Sequence, residues 1–444
     1  MERPVMKNTP ANPDKIHHNY FQRGNFRLAS NKCDEAIEDY NEAIKLNPHH
    51  ARSYKNRGLA YFTKGNVDLA IKDYTTAIQL APDNAHAYNN RGIAYSEKGE
   101  FHSAIIDFNK AIQLKPDLAE AYNGRGLTYC NKGEIDRAIK DYTTAIKLRY
   151  DYARAYNNRG NAYCDKGDFE QAIEDISTAI NHDPTFAEAY SNRGNAYVKK
   201  DLTNLALKDY NEAIRLNPNL AEAYCNRDVT YENKGELDHA IRDYTTAIEL
   251  KPDYAEAYNN RGNTYNKKGE FNHAIKDCNA AIELKPDIAE AYNNRGITFD
   301  RKGEFDRAIR DFDKAIQLKP DLAGAYSNRG LAYHLKGETE CAIENWAKAI
   351  ALKSDLADAY YYRGVVWAYQ QQWEKARVDL TVAKIIGEDS IPSFQRDNRS
   401  IVDFEQKTDI QLPEDIAALL TPPRHSIIVK PVINYTPVLA QSSS

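Results

Sequence analysis

The chain has 444 residues, too many for one small domain and enough for an extended array. Its 59 Lys and Arg face 64 Asp and Glu, a formal net charge of −5 that favours solubility and supplies no nucleic-acid or membrane surface. No stretch approaches the roughly 18 apolar residues that cross a bilayer, and MERPVMKNTPANPDKIHHNY lacks the apolar core of a signal peptide, so the expected location is cytoplasmic.

In chain order, residues 1–16 are polar and are expected to be disordered. From residue 17 a phrase begins to recur. AYNNRG stands at 87–92, 155–160, 257–262 and 291–296, with close variants between. Its last residue falls at Gly24, Gly58, Gly92, Gly126, Gly160, Gly194, Asp228, Gly262, Gly296, Gly330 and Gly364. The spacing is 34 without insertion across eleven copies, the mark of a stacked array spanning 17–390. Each copy is numbered here so that this residue is position 8; repeat 2 begins at Ala51, repeat 3 at Ala85 and repeat 4 at Ala119.

Within repeat 3, Ala85, Tyr88, Gly92 and Tyr95 make one stripe of a helix, and Gly99 breaks it. Phe101, Ala104, Ile105, Phe108, Ala111 and Ile112 make the stripe of a second helix, and Pro116 marks its exit. Each copy is therefore predicted to be a helix–turn–helix hairpin that buries its apolar faces only against its neighbours. Beyond the array, 391–422 is expected to be a short helical cap. SIVDFEQKTDIQLPEDIAALL reads as two short helices, the second opened by Pro413. Residues 423–444 are Pro-punctuated and read as a flexible tail.

Small or aromatic residues at positions 4, 8, 11, 20, 24 and 27, with Pro at 32, resemble the tetratricopeptide repeat (TPR). Position 4 is always Tyr, from Tyr20 to Tyr360, and positions 20 and 27 are Ala in every copy. The resemblance implies an all-α fold: a right-handed superhelical solenoid whose concave groove is lined by first helices and binds proteins or extended peptides.

Two departures from that pattern travel together. Position 7 is Arg in all eleven copies, where the family usually has Leu. Position 23 is Asp in ten, where an aromatic is usual, with Asn345 the exception. They predict a ladder of partly buried Arg–Asp pairs tying first to second helices, since a guanidinium fork fits a carboxylate.

Position 6 projects opposite the buried stripe, flanked by 2, 9 and 13, so these positions are expected to face the groove. It carries Asn56, Asn90, Asn158, Asn192, Asn226, Asn260, Asn294 and Asn328; Gln22, Gly124 and Tyr362 interrupt the row. Asn is a mediocre helix former that folding does not require there, and its amide can both donate to and accept from a peptide bond. The row resembles the asparagine ladder in the superhelical arm of O-linked N-acetylglucosamine transferase, which implies a peptide-binding groove. Duplication of a harmless solvated residue is the alternative.

The carboxylate clamp of chaperone adaptors is not expected. Lys55 is the only Lys at position 5 and is followed by Leu59 instead of Asn; position 2 is mostly acidic. The tyrosines at 4 and 11 read as core. The six cysteines show no metal-ligand spacing and read as buried or surface substitutes. No phosphate loop or nucleophile motif appears, and neither cofactor nor metal site is expected. The chain thus reads as a non-enzymatic scaffold for proteins or extended peptides, with no nucleic-acid or membrane partner. The alternatives are a targeting or regulatory arm for a separate enzyme such as a glycosyltransferase, or a helical-repeat RNA binder. Asp201 at a turn-glycine position and Asp228 at position 8 predict a weak point at repeats 6–7.

Overall fold

A computed structural model describes residues 13–387, 405 and 410–420. Among them 23 helices and no strands occur. Two helices fall in every copy, in the order the 34-residue period demands. In repeat 3 the first is Ala85–Glu97 and the second Phe101–Leu114. The all-α helical-repeat solenoid expected from the sequence is the fold.

The hairpin turn is set by one backbone conformation. Position 15 has a left-handed φ of +76° to +91° at eight glycines, which lack the Cβ that penalises it. Asn31, Asp201 and Gln371 adopt the same conformation at +57° to +58°, so Asp201 keeps the turn and bears its strain. The second helix ends where the chain turns extended, and in most copies the next residue is Pro, which has no N–H to continue it.

Between the two helices lies a repeated core. The alanines at positions 20 and 27 are 0–2% exposed in every copy, allowing the helices to approach closely. Position 24 fills the space: Tyr40, Tyr74, Phe108, Tyr142, Ile176, Tyr210, Tyr244, Cys278, Phe312, Trp346 and Leu380 are all buried. Each of the large rings contributes roughly 1.5–3 kcal/mol of apolar burial. The glycine at position 8 faces that side chain. A Cβ on Gly92 would lie 3.0 Å from the Phe108 ring, and one on Gly296 would lie 2.7 Å from Phe312.

The chain comprises two compact units, Met1–Leu216 and Asn217–Ser444. The first holds the hairpins of repeats 1–6, and its first helix begins at Pro13, inside the segment expected to be disordered. Pro suits the first turn of a helix because its missing N–H would be unpaired there anyway. Residues 1–12 lie outside the described residues. The second unit holds repeats 7–11 and a terminal helix, Glu414–Leu420, which Pro413 precedes as expected. Leu412, Ile416 and Leu420 pack with Leu380 and Ala383 of the last second helix, and Arg377 pairs with Asp415 at 2.5 Å. This helix covers apolar surface that no twelfth repeat is there to cover. Of the earlier cap helix only Glu405 is described, and it accepts from the Leu412 N–H at 3.0 Å; the tail 423–444 lies outside the described residues.

Candidate functional site

The Arg at position 7 forms the predicted pair and more. In repeats 2–9 and in repeat 11 its Nε and Nη2 donate to the two oxygens of the Asp 16 residues on, at 2.6–2.9 Å. In repeat 10 the partner is Asn345, at 2.8 Å from Arg329 Nε. The Asp carboxylates are 1–9% exposed, so the fork replaces water they have lost.

The third nitrogen, Nη1, crosses to the preceding repeat. It donates to position 25 of that repeat: Arg57 to Asn41, Arg91 to Thr75, Arg125 to Asn109, Arg193 to Ser177, Arg261 to Thr245 and Arg329 to Asp313, at 2.5–3.0 Å. The ladder thus joins repeats as well as helices. Sequence reading missed this second role, although its signal was present: position 25 carries a short polar side chain in repeats 1–10 except for Ala347.

The tyrosines at 4 and 11 are half-buried, apart from buried Tyr129; they pack against the core as expected and also flank this Arg. The Arg193 guanidinium carbon lies 5.7 Å from the Tyr190 ring and 5.8 Å from Tyr197. Their faces stabilise the cation on both sides. The buried aromatic core is position 24.

The position-6 asparagines are not free of the fold, which corrects the expectation that folding does not need them. Asn158 Nδ2 donates to Asn123 at 3.1 Å, Asn192 to Asn157 at 3.0 Å, Asn294 to Asn259 at 3.0 Å and Asn328 to Asn293 at 3.1 Å. The acceptor is always position 5 of the preceding repeat. In repeat 2 that residue's predecessor is Phe21, and Asn56 turns to Asn25 instead, at 2.7 Å. Asn90 and Asn260 accept from their own neighbours, Asn89 at 3.4 Å and Asn259 at 3.2 Å. In repeats 5, 6, 9 and 10 the first helix therefore meets its predecessor in an amide seam, where burial replaces the open placement that helical periodicity alone implied. Asn192, Asn226, Asn260 and Asn294 are 2–6% exposed; Asn56, Asn90, Asn158 and Asn328 are half-buried. A side-chain amide has two donors and two acceptor lone pairs, so one bond to a neighbouring repeat leaves capacity for another partner.

The rest of this first-helix face differs between the units. In repeats 7–9, position 9 is Val229, Asn263 and Ile297, all buried. Glu232 pairs with Lys267 at 2.7 Å and accepts from the Thr264 hydroxyl, and Arg301 donates to the Asn266 carbonyl at 2.9 Å. The position-2 glutamates pair with lysines of their own repeat, Glu222 with Lys251, Glu256 with Lys285 and Glu290 with Lys319, at 3.0–3.4 Å. In repeats 2–3 position 9 is exposed Leu59 and Ile93, and position 2 is Arg52 and His86.

Repeat 7 holds the expected defect. Asp228 stands where glycine allows close approach, is fully buried, and as a carboxylate has no donor for either oxygen. Burial pushes its carboxyl well above the ordinary carboxylate range, and neighbouring Asp243 pushes it further against the pull of Arg227. A neutral carboxyl avoids burying a charge that the site does not pair.

The cysteines of the described residues are free thiols, and burial raises those of Cys130, Cys164 and Cys278. Among the described residues no group of His, Cys, Asp and Glu is arranged to hold a metal, and no helix is long and apolar enough to cross a membrane.

The sequence matches the family described as TPR repeat over residues 20–65, 58–99, 94–133, 126–165, 160–201, 230–269, 299–337 and 333–372. It matches tetratricopeptide repeat over 187–220 and 255–288. No curated protein matches the chain. Among solved structures, yeast Tom70 is 17% identical, covering 85% of this chain and 93% of its own at a TM-score of 0.42. A tetratricopeptide repeat protein from Parabacteroides merdae is 20% identical, covering 53% and 94% at 0.46. MamA is 28% identical, covering 39% and 96% at 0.34. With family matches running through nearly the whole array, the chain belongs to the tetratricopeptide repeat family, and its repeats make it a scaffold for protein–protein interaction.

Proposed function

We propose that the chain is a non-catalytic scaffold that holds extended peptide segments along its first helices, partly through the position-6 asparagines. One observation carries the reading. The first-helix face of repeats 2–3 presents half-buried amides at Asn56 and Asn90 beside exposed Leu59 and Ile93, with another half-buried amide at Asn158 in repeat 5 and no covering element among the described residues. Spare amide donors and acceptors suit a peptide backbone whatever its side chains, while the neighbouring apolar residues add affinity. In the second unit the row is more deeply set. Asn260 and Asn294 act there as seam residues of the second unit's own first helices, and Asn226 is buried with them.

A photo-cross-linking amino acid at Ile93 tests the reading against the same residue at Ile106, an exposed position of the second helix. Binding partners are expected to cross-link at Ile93 at least tenfold more than at Ile106. Equal yields at both positions would place the contacts elsewhere.

A further inference from the structure

The position-2 row pairs with position 31 of the same repeat wherever the first is acidic and the second basic. Glu120 with Arg149 at 2.8 Å belongs to this set, as do the three Glu–Lys pairs of repeats 7–9. Position 2 is basic or His in repeats 1, 2, 3 and 5; in repeat 5 Arg154 has an acid, Asp183, at position 31, and repeats 1–3 have none. Arg52 has Ala81 at the matching position, and His86 has Lys115. Position 5, an amide or small residue in most copies, becomes Lys55.

Arg52 and Lys115 are exposed and Lys55 is half-buried, and no ion pair to any of them occurs among the described residues. Asp83 and Asp117, adjacent in sequence to these helix starts, make none with them. The positive field registers in the local titrations. Burial lowers the Lys55 ammonium and Arg52 lowers it further; burial lowers His86, with Lys115 and Lys55 adding to the effect and Glu120 opposing it. About two turns along the same helices stand Leu59 and Ile93, each 37% exposed. Three cations and a histidine thus lie uncompensated at one end of a short apolar strip. Structural ion pairing accounts for four acidic members of the row, Glu120, Glu222, Glu256 and Glu290, and for none of these basic ones.

We infer that the first-helix face of repeats 2 and 3, with Arg52, Lys55, His86 and Lys115 beside Leu59 and Ile93, docks an internal segment of a partner protein in which Asp or Glu side chains are interspersed with apolar ones. Charge complementarity selects the acid, and the apolar strip selects against a purely ionic ligand. The ligand groups are side-chain carboxylates along a segment, because the clamp residues that capture a chain terminus are missing. The inference rests on the scaffold reading above and narrows it.

A display library of random twelve-residue peptides, amidated when resynthesised, tests it on the full chain. Enriched sequences are expected to combine Asp or Glu with Leu, Ile, Val or Phe. Their affinity should fall at least tenfold in the double variant Arg52→Glu and Lys55→Glu, and at least threefold between 50 and 300 mM salt, roughly as screening of several contacts requires. A free C-terminal carboxylate should bring no gain. If the reversal variant loses its helical melt, Arg52→Gln with Lys55→Gln replaces it, with a loss of at least threefold expected. Enrichment of neutral or basic peptides, or indifference to both variants, would overturn the inference while leaving the scaffold reading intact. Binding of polyglutamate or single-stranded RNA as tight as that of the enriched peptides would also overturn it, by showing ion exchange alone. Absence of any enriched peptide, with no preference for Ile93 in cross-linking, would remove both readings.

Discussion

Repeats 2–3 and repeats 7–9 share a framework and differ on one face. In both, Ala at 20 and 27 seats the helices, and the Arg at 7 grips an Asp and a polar residue of the repeat before it. The first-helix face then diverges. In repeats 7–9 it is closed: position 9 is buried, glutamates are matched by lysines, and Glu232, Thr264 and Lys267 form a polar network. In repeats 2–3 it leaves apolar side chains exposed and cations unmatched. The frame recurs from copy to copy while the face varies, so variation on that face carries more information about partners than the repetition does.

If the frame is common to both regions, breaking it should cost the same in each. Arg91→Ala and Arg261→Ala each strand a buried carboxylate, Asp107 or Asp277, at 3% exposure. Each is expected to lower stability by about 3 kcal/mol, well above the ~1 kcal/mol of an exposed pair. Arg329→Ala leaves only the neutral Asn345 buried, and its loss should be about half as large. Chemical denaturation read at helix-specific probes, which a repeat array of uneven cooperativity requires, checks all three. Equal, negligible effects would mean that the forks are ornaments on a core of alanine and ring packing.

Asp228 is the one place where the frame itself is broken. Asp228→Gly should restore the close approach seen at Gly262 and remove an orphaned carboxyl, stabilising the second unit by about 1–3 kcal/mol near neutral pH. The pH dependence has a definite sign. The folded carboxyl titrates well above its unfolded value of about 4, so the folded state retains a proton that the unfolded state releases. The wild-type penalty is therefore small below pH ~4 and grows as pH rises above it. The stability difference between variant and wild type, measured by denaturation from pH 4 to 8, should widen with pH. A difference that narrowed would contradict a neutral buried Asp228.

Most of the frame was legible in the sequence because the period repeats every constraint eleven times. Arg at 7 and Asp at 23 recur together in ten of the eleven copies, too regularly to be separate features, and their pairing follows. What one copy cannot reveal is its contact with the next. A helical wheel places position 6 opposite the buried stripe, and it carries no information about the adjacent first helix. That neighbour turns Asn192 and Asn294 from solvent-facing residues into seam residues bonded to position 5. The third donor of the Arg went unread for the same reason, since its acceptor at position 25 lies one repeat away. The tyrosines at 4 and 11 read correctly as core, and hydrophobicity alone did not show that their faces also meet the Arg.

The amide seam offers the finest test of the contrast between the two regions. Asn294 donates to Asn259, which in turn donates to Asn260, and the three are 1–5% exposed. Asn294→Ala removes a neutral hydrogen bond and leaves the Asn259 oxygen without it in a site water does not easily reach, a loss of about 1 kcal/mol. Asn90 sits in the open region, and the residue at position 5 before it is Lys55, so no amide rung lies beneath it. Its substitution by Ala should cost less than half as much, while weakening a bound peptide more than Asn294→Ala does. Urea midpoints and peptide affinity measured on the same two proteins separate the roles. If Asn90→Ala proved the more destabilising and left binding untouched, the amides of the open face would be structural as well, and the ligand contacts would have to come from its cations and apolar strip alone.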